Sequence, residues 1–221
     1  MKQTDFDHVE TWVFDLDNTI YPARHNLFDQ VDVRIGAFIA ELLDLDAVAA
    51  RRIQKQYFRD HGTTLRGLML NHDVDPHDFL GFVHDIDVAC IPPDAELDRN
   101  LERLPGRKVI FTNGSTGHAE NVLGRLGVAG RFDGIFAITD ADFVPKPEAA
   151  SYETLIERFS IDPEKAVMVE DIARNLEPAA ALGMTTVWVR TDNAWGAEGS
   201  EKDYIHHVID DVASWLAVLV G

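Results

Sequence analysis

The chain has 221 residues, 46% of them hydrophobic, and a formal net charge of −18. That length holds one large domain or a core with a smaller insertion, and the acidic surplus disfavours an extended nucleic-acid or anionic-membrane surface, because polyanions are repelled. The single cysteine, Cys90, excludes an internal disulfide and a structural zinc site of the cysteine type.

Met1-Lys2-Gln3-Thr4-Asp5-Phe6-Asp7 carries no apolar signal core. No apolar run approaches the roughly 20 residues that a membrane-crossing helix needs. A cytoplasmic monomer or homodimer is expected, with neither a membrane nor a nucleic-acid polymer as partner. The first strand falls at about Thr11–Asp15, where Trp12-Val13-Phe14 runs into Asp15-Leu16-Asp17-Asn18-Thr19. From Asn26 to about His84 the pattern turns helical. Phe28, Val31, Val33, Ile35, Phe38, Ile39, Leu42 and Leu43 recur at three- and four-residue spacing. A second helix covers Ala47–His61 and stops at Gly62. A third starts at Thr63 or Thr64 as cap, and Asp75-Pro76 opens a fourth.

Ile91-Pro92-Pro93 reads as a return hinge, because proline excludes helix just before it. Beyond it helices and strands alternate. Helix Ala95–Leu104 precedes strand Lys108–Thr112, and helix Thr116–Leu126 precedes a strand near Gly134–Ile138. Helix Glu148–Phe159 precedes strand Ala166–Val169, helix Asn175–Leu182 precedes strand Thr185–Arg190, and Asp210–Val220 closes the chain as a helix. Such alternation makes a doubly wound parallel sheet. The fold class is α/β, with residues 1–20 and 92–221 forming the core and residues 21–91 an inserted helical cap.

Three apolar runs end in polar residues: Asp15, Thr112-Asn113-Gly114 and Glu170-Asp171. Ligands of parallel sheets sit beyond the carboxyl ends of the strands, so one fold rule gathers these residues at one edge. The pair Asp15 and Asp17 suits phosphoryl chemistry. One carboxylate attacks phosphorus and the other moves protons. Dianionic phosphate repels the attacker, so Mg²⁺ is needed; Asp15, Asp171 with Glu170, and the Asp17 backbone carbonyl can supply its oxygens. Thr112, Asn113 and Gly114 can hold phosphate near a helix N-terminus, or serve only as turn and cap. Lys146, one of six lysines, stands between Pro145 and Pro147, a stiff setting for an aimed charge.

Taken together, Asp15-Leu16-Asp17-Asn18-Thr19, Thr112-Asn113-Gly114, Lys146 and Glu170-Asp171 resemble the four motifs of the haloacid dehalogenase-like hydrolase superfamily. The resemblance covers essentially the whole chain. It implies a Rossmann-like core, a helical cap of the first type and a phosphatase that forms an aspartyl-phosphate on Asp15, with Asp17 as acid/base. His61-Gly62-Thr63-Thr64-Leu65-Arg66-Gly67-Leu68, His118-Ala119, and Glu170-Asp171-Ile172-Ala173-Arg174-Asn175 further resemble the pyrimidine 5′-nucleotidase branch. That implies a small phosphorylated metabolite, a nucleoside monophosphate such as UMP or CMP, as substrate.

Thr63, Thr64 and Arg66 either face the substrate or merely cap and flank a helix. Cap histidines His61, His72, His77 and His84 read as surface residues, Trp188 and Trp195 as packing, and Leu27, Phe28 and Val31 as helix core or cleft wall. A phosphosugar phosphatase or mutase of the β-phosphoglucomutase kind would use the same two aspartates. A non-catalytic binding module is the remaining alternative, which the intact set of charged residues opposes.

Overall fold

Residues Thr11–Phe14 (β1) are four buried side chains in a row, the pattern of a strand covered on both faces. The computed structural model of the protein describes residues 6–221; Met1–Asp5, where the N-terminal reading and the core segment begin, lie outside them. Five further strands complete the sheet: β2 Arg107–Phe111, β3 Gly134–Phe136, β4 Ala166–Glu170, β5 Thr185–Val189 and β6 His207–Ile209. All pair in parallel, in the order β3-β2-β1-β4-β5-β6.

β1 pairs with β2 on one side and β4 on the other, so the winding reverses there. In α/β sheets this switch point opens the crevice that binds ligands. The register fixes what meets in it. Phe14 lies opposite Ile110 and Val169, which brings Asp15, Thr112 and the Glu170-Asp171 pair out at one level.

Four helices fill the stretch after β1: α1 Leu27–Leu43, α2 Ala47–His61, α3 Thr64–His72 and α4 Pro76–Val83. Their ends follow capping chemistry. Asp46 accepts from the Val48 and Ala49 amides at 2.9 and 2.8 Å, Thr63 caps α3, and Asp75 caps α4 with proline in its first turn. Gly62 ends α2 at φ 79°, a conformation glycine takes without strain. The four helices share a core that includes Val31, Ile39, Leu68, Phe79 and Val83, which Ile138 joins from the turn after β3. Val33 and Leu42 face outward instead, 70% and 42% exposed.

The return half builds α5 Ala95–Arg103, α6 Thr116–Leu126, α7 Ala149–Phe159, α8 Leu176–Ala181 and α9 Val212–Leu219. The strand expected to reach Ile138 stops at Phe136 and turns into a 3₁₀ segment over Ile138–Ala141. The edge strand β6 carries no sequence expectation. It has three residues, Val208 is 45% exposed, and a run that short shows no periodicity.

One position in the insert reverses ordinary helix propensity. Alanine in place of a mid-helix glycine normally gains about 1 kcal/mol. At Gly67 a Cβ would sit 2.4 Å from Tyr57 Cγ across the α2–α3 contact. Gly67→Ala should therefore lower the unfolding midpoint, because overpacking costs roughly 1–3 kcal/mol against the ~1 kcal/mol of propensity gained. Thermal melts monitored by circular dichroism check this, and a raised midpoint would contradict the close packing.

Candidate active site

Lys146 is the pivot of the site. It is 1% exposed, and its Nζ donates to Asp15 Oδ1 at 2.7 Å, Glu170 Oε2 at 2.7 Å and the Phe111 carbonyl at 2.8 Å. The loop that carries it is pinned to the end of β2. The Asn113 side chain accepts from the Lys146 amide at 2.9 Å and donates to the Lys146 carbonyl at 3.3 Å. Asn113 thus works through Lys146. Burial disfavours the ammonium, but the Asp15 and Glu170 charges outweigh it and raise the Lys146 pKa.

One ammonium cannot balance three buried carboxylates. Oxygens of Asp15, Glu170 and Asp171 lie within 4.8 Å of one another. Burial and the Glu170 charge push Asp15 from 3.8 up to about 7, against the pull of Lys146. Burial, then Glu170 and Asp15, raise Asp171 well above its ordinary value. Glu170 is engaged twice, by Lys146 and by the Ile172 amide at 3.2 Å. Asp171 Oδ2 is buried with no hydrogen-bond partner among the described residues, while Trp188 Nε1 fixes the Asp171 backbone carbonyl at 2.8 Å. Surplus negative charge, an orphaned carboxylate oxygen and an all-oxygen donor set fit a hard divalent cation.

Asp17 stands apart from that triplet. His118 Nε2 lies 2.8 Å from its Oδ1 and 3.1 Å from its Oδ2, and the Tyr21 hydroxyl donates to Oδ1 at 2.7 Å. Burial alone would raise Asp17, yet the His118 charge and the His118 and Tyr21 hydrogen bonds hold it below the usual carboxylate range. Burial opposes a charged His118, but Asp17 outweighs it and raises the imidazole. These opposite shifts favour an ionised Asp17 beside a charged His118. A neutral histidine stacks on this one: His84, from the end of the insert, lies face to face with His118 at 4.4 Å and 9°. Burial and the His118 charge push His84 down to about 3.

A cleft of about 140 Å³ covers these groups. Asp15, Asp17, Glu170, Asp171 and Lys146 line its floor with Thr112, Asn113 and Gly114. The Gly114 amide is already committed, donating to Thr112 Oγ1 at 2.9 Å, so it is not the free phosphate donor expected at that position. The opposite wall is apolar: Phe28, Val31 and Ile35 from α1, Phe58 from α2 and Leu65 from α3 face Trp195 from the β5–β6 connection. Thr64 is on the lining with its hydroxyl donating to the Gln54 carbonyl at 3.1 Å. Arg66, half-buried on α3, is not on the lining, and Thr63 is.

Two readings need correction. His84 is not a surface histidine but a wall of the cleft, and Trp195 is lining rather than interior packing. His118 and Tyr21 were given no site role from sequence. The available signal was positional: His118 occupies the first turn of α6, directly beyond the end of β2.

Comparison with known proteins agrees with this geometry. A model of haloacid dehalogenase-like hydrolases matches residues 9–183. Phosphate metabolism protein 8 of Saccharomyces cerevisiae is 26% identical over 193 residues, covering 79% of this chain and 60% of that protein. Enolase-phosphatase E1 of Sorangium cellulosum is 33% identical over 106 residues, covering 47% of this chain and 44% of the other. The chain thus spans about half the length of these relatives. Among solved structures, L-2-haloacid dehalogenase from Xanthobacter autotrophicus superposes with a TM-score of 0.57 at 18% identity, over 96% of this chain and 99% of that one. That likeness is one of fold.

Cation binding at the triplet should be visible without turnover. A ligand held only by the native state at 100 times its Kd adds about 2.7 kcal/mol. Millimolar Mg²⁺ should raise the melting temperature of chelator-treated protein, and Asp171→Ala should abolish the rise. An identical rise in the variant would place the cation elsewhere.

Proposed function

Because the chain belongs to the haloacid dehalogenase-like hydrolase family, we propose that it is a Mg²⁺-dependent phosphomonoester hydrolase working through an aspartyl-phosphate on Asp15, with pyrimidine nucleoside 5′-monophosphates as its substrates. The observation that carries the reading is the unequal state of the two aspartates at the end of β1. Asp15 is bound by Lys146 among further carboxylates, whereas Asp17 is coupled to a proton-bearing imidazole. One is placed to attack and the other to move protons.

In the first half-reaction an Asp15 oxygen attacks phosphorus, the bond to the leaving oxygen breaks, and Asp17 delivers a proton to that oxygen. In the second, Asp17 accepts a proton from water, the water oxygen attacks phosphorus, and phosphate departs with Asp15 restored. Lys146 orients Asp15, and the Thr112 hydroxyl keeps its hydrogen for a phosphate oxygen. Mg²⁺, held by Asp15 and Asp171 with the Asp17 carbonyl and with Glu170 behind them, would supply the positive charge that lets a carboxylate approach an anionic phosphate.

The insert, residues 21–91 by this reading, acts as the cap that selects the leaving group. Every ionised side chain on the cleft lining lies at the floor; the wall above is uncharged. Phe58 and Trp195 meet edge to face at 5.4 Å, an aromatic pair suited to a flat, neutral base. The Thr63 hydroxyl, which accepts from the Arg66 amide, keeps its hydrogen for a sugar hydroxyl, whereas Thr64 donates its own to Gln54. Among the described residues the cations nearest these rings, Lys55 at 6.0 Å from the Trp195 centroid and Arg174 at 4.5 Å from that of Phe58, are not on the lining.

Asp15→Asn should remove turnover while the protein stays folded, and Asp17→Asn should lose the 10²–10⁴-fold that acid–base catalysis typically contributes. Phosphate release from UMP and CMP should exceed that from phosphosugars and from sugar bisphosphates. A strong preference for a phosphosugar would favour the sugar-phosphatase or mutase reading. Halide release from a 2-haloacid with no phosphate release from any ester would overturn the phosphatase assignment.

A further inference from the structure

Asp17 must present one oxygen to the leaving group in a fixed direction, and the end of β1 does not fix it alone. Asp17 follows Leu16 in a turn, and Asn18 after it stands at φ 62°. What holds the carboxylate comes from elsewhere in the chain. Tyr21 and His118 both reach Oδ1, and His118 also touches Oδ2.

The His118 ring is itself held. It is 2% exposed on the first turn of α6. His84 covers one face in a near-parallel stack. Gly114 closes the space beside it: a Cβ there would lie 3.2 Å from His118 Cδ2 and 3.7 Å from His84 Nε2. Ser115 Oγ accepts from the His118 amide at 3.2 Å and lies 2.9 Å from His84 Nδ1, so one hydroxyl ties both histidines.

His84 is the last link, and it belongs to the helical insert, one residue past α4. The insert therefore touches the acid/base group through two stacked imidazoles. We propose that His118 is a positioning residue for Asp17, and that His84 braces His118 from the insert, so that seating the insert over the cleft sets the direction of the proton-carrying carboxylate. The inference rests on the phosphatase reading. It also gives Gly114 a reason beyond turn geometry, since a Cβ there would press on the His118 ring at 3.2 Å.

A buried histidine that merely packs would affect all substrates alike. In the first half-reaction, which kcat/KM reports because it ends with departure of the leaving group, a residue that aims the proton donor matters only when that group needs a proton. The test compares phenyl phosphate, whose leaving group needs one, with 2,4-dinitrophenyl phosphate, whose leaving group does not. His118→Phe keeps a ring for the stack and removes Nε2. Its kcat/KM on phenyl phosphate should fall by roughly ten- to a hundredfold, part of the usual acid–base contribution, while kcat/KM on the dinitrophenyl ester changes less than about threefold. His84→Ala should show the same selectivity to a smaller degree, and His84→Phe should recover most of it by restoring the stack. Should His118→Phe fail to fold, the two half-buried His84 variants decide the matter. Equal losses on both esters, or no loss on either, would overturn the proposal. No phosphate release by the wild-type protein from either ester would remove the phosphatase reading, and this inference with it.

Discussion

The structure depends on one electrostatic arrangement: two carboxylates bond a single buried ammonium, and a third crowds beside them, at the switch point of a parallel sheet. Charges taken out of water cost several kcal/mol each unless paired and hydrogen-bonded. Lys146 meets that condition with three acceptors. The carboxylates do not, since Asp171 Oδ2 has no partner among the described residues and Asp15 is pushed up to about 7. Such a cluster opposes folding and would be lost unless something else held it. Here the something is the sheet register, which leaves Asp15, Glu170 and Asp171 no other place to go. A scaffold buried on both faces can force this crowding because its strands are stabilised along their whole apolar length. Val13, Val109 and Met168 sit fully buried just below the charged rim.

That separation explains why so much was legible in the sequence. The strands announce themselves as apolar runs, and the fold rule then assigns their polar endings to one edge. Asp15, Thr112, Glu170 and Asp171 needed no knowledge of side-chain direction to be placed. The insert was equally readable, because Asp46, Gly62, Thr63 and Asp75-Pro76 are local signals whose meaning is decided within a few residues. Two limits were physical. Edge strand β6 is too short to show a period, and the segment before it crosses without a helix.

The partners of Asp17 show the other limit. His118 is 101 residues away and His84 lies on the insert, so their meeting depends on tertiary placement that no spacing encodes. A lone histidine is chemically ambiguous until its neighbours are known. Set beside Asp17 it rises, and set beneath another imidazole it falls, so identical side chains 4.4 Å apart end in opposite states. Arg66 shows the converse. It stands in a motif that looks informative, but α3 turns it off the cleft while Thr63 and Leu65 face inward. Helical direction, not motif membership, decides which side chain reaches a ligand.

The division of the cleft into a charged floor and an uncharged wall follows from the same topology. The floor is made of polar groups at and just beyond the strand ends, which the sheet holds together while Lys146 offsets part of their charge. The wall is made of helix faces that also form the insert's own core: Val31, Leu65, Phe79 and Val83 line the cleft and pack together. A charge introduced on those faces would burden the insert's packing before it served any substrate. Selectivity of the wall is thus constrained by the insert's need for a core, whereas the floor is constrained by the chemistry. Where the two meet, at His84 and His118, the side chains are neither apolar nor permanently charged, and imidazole is the side chain that can stack on one side and bond a carboxylate on the other.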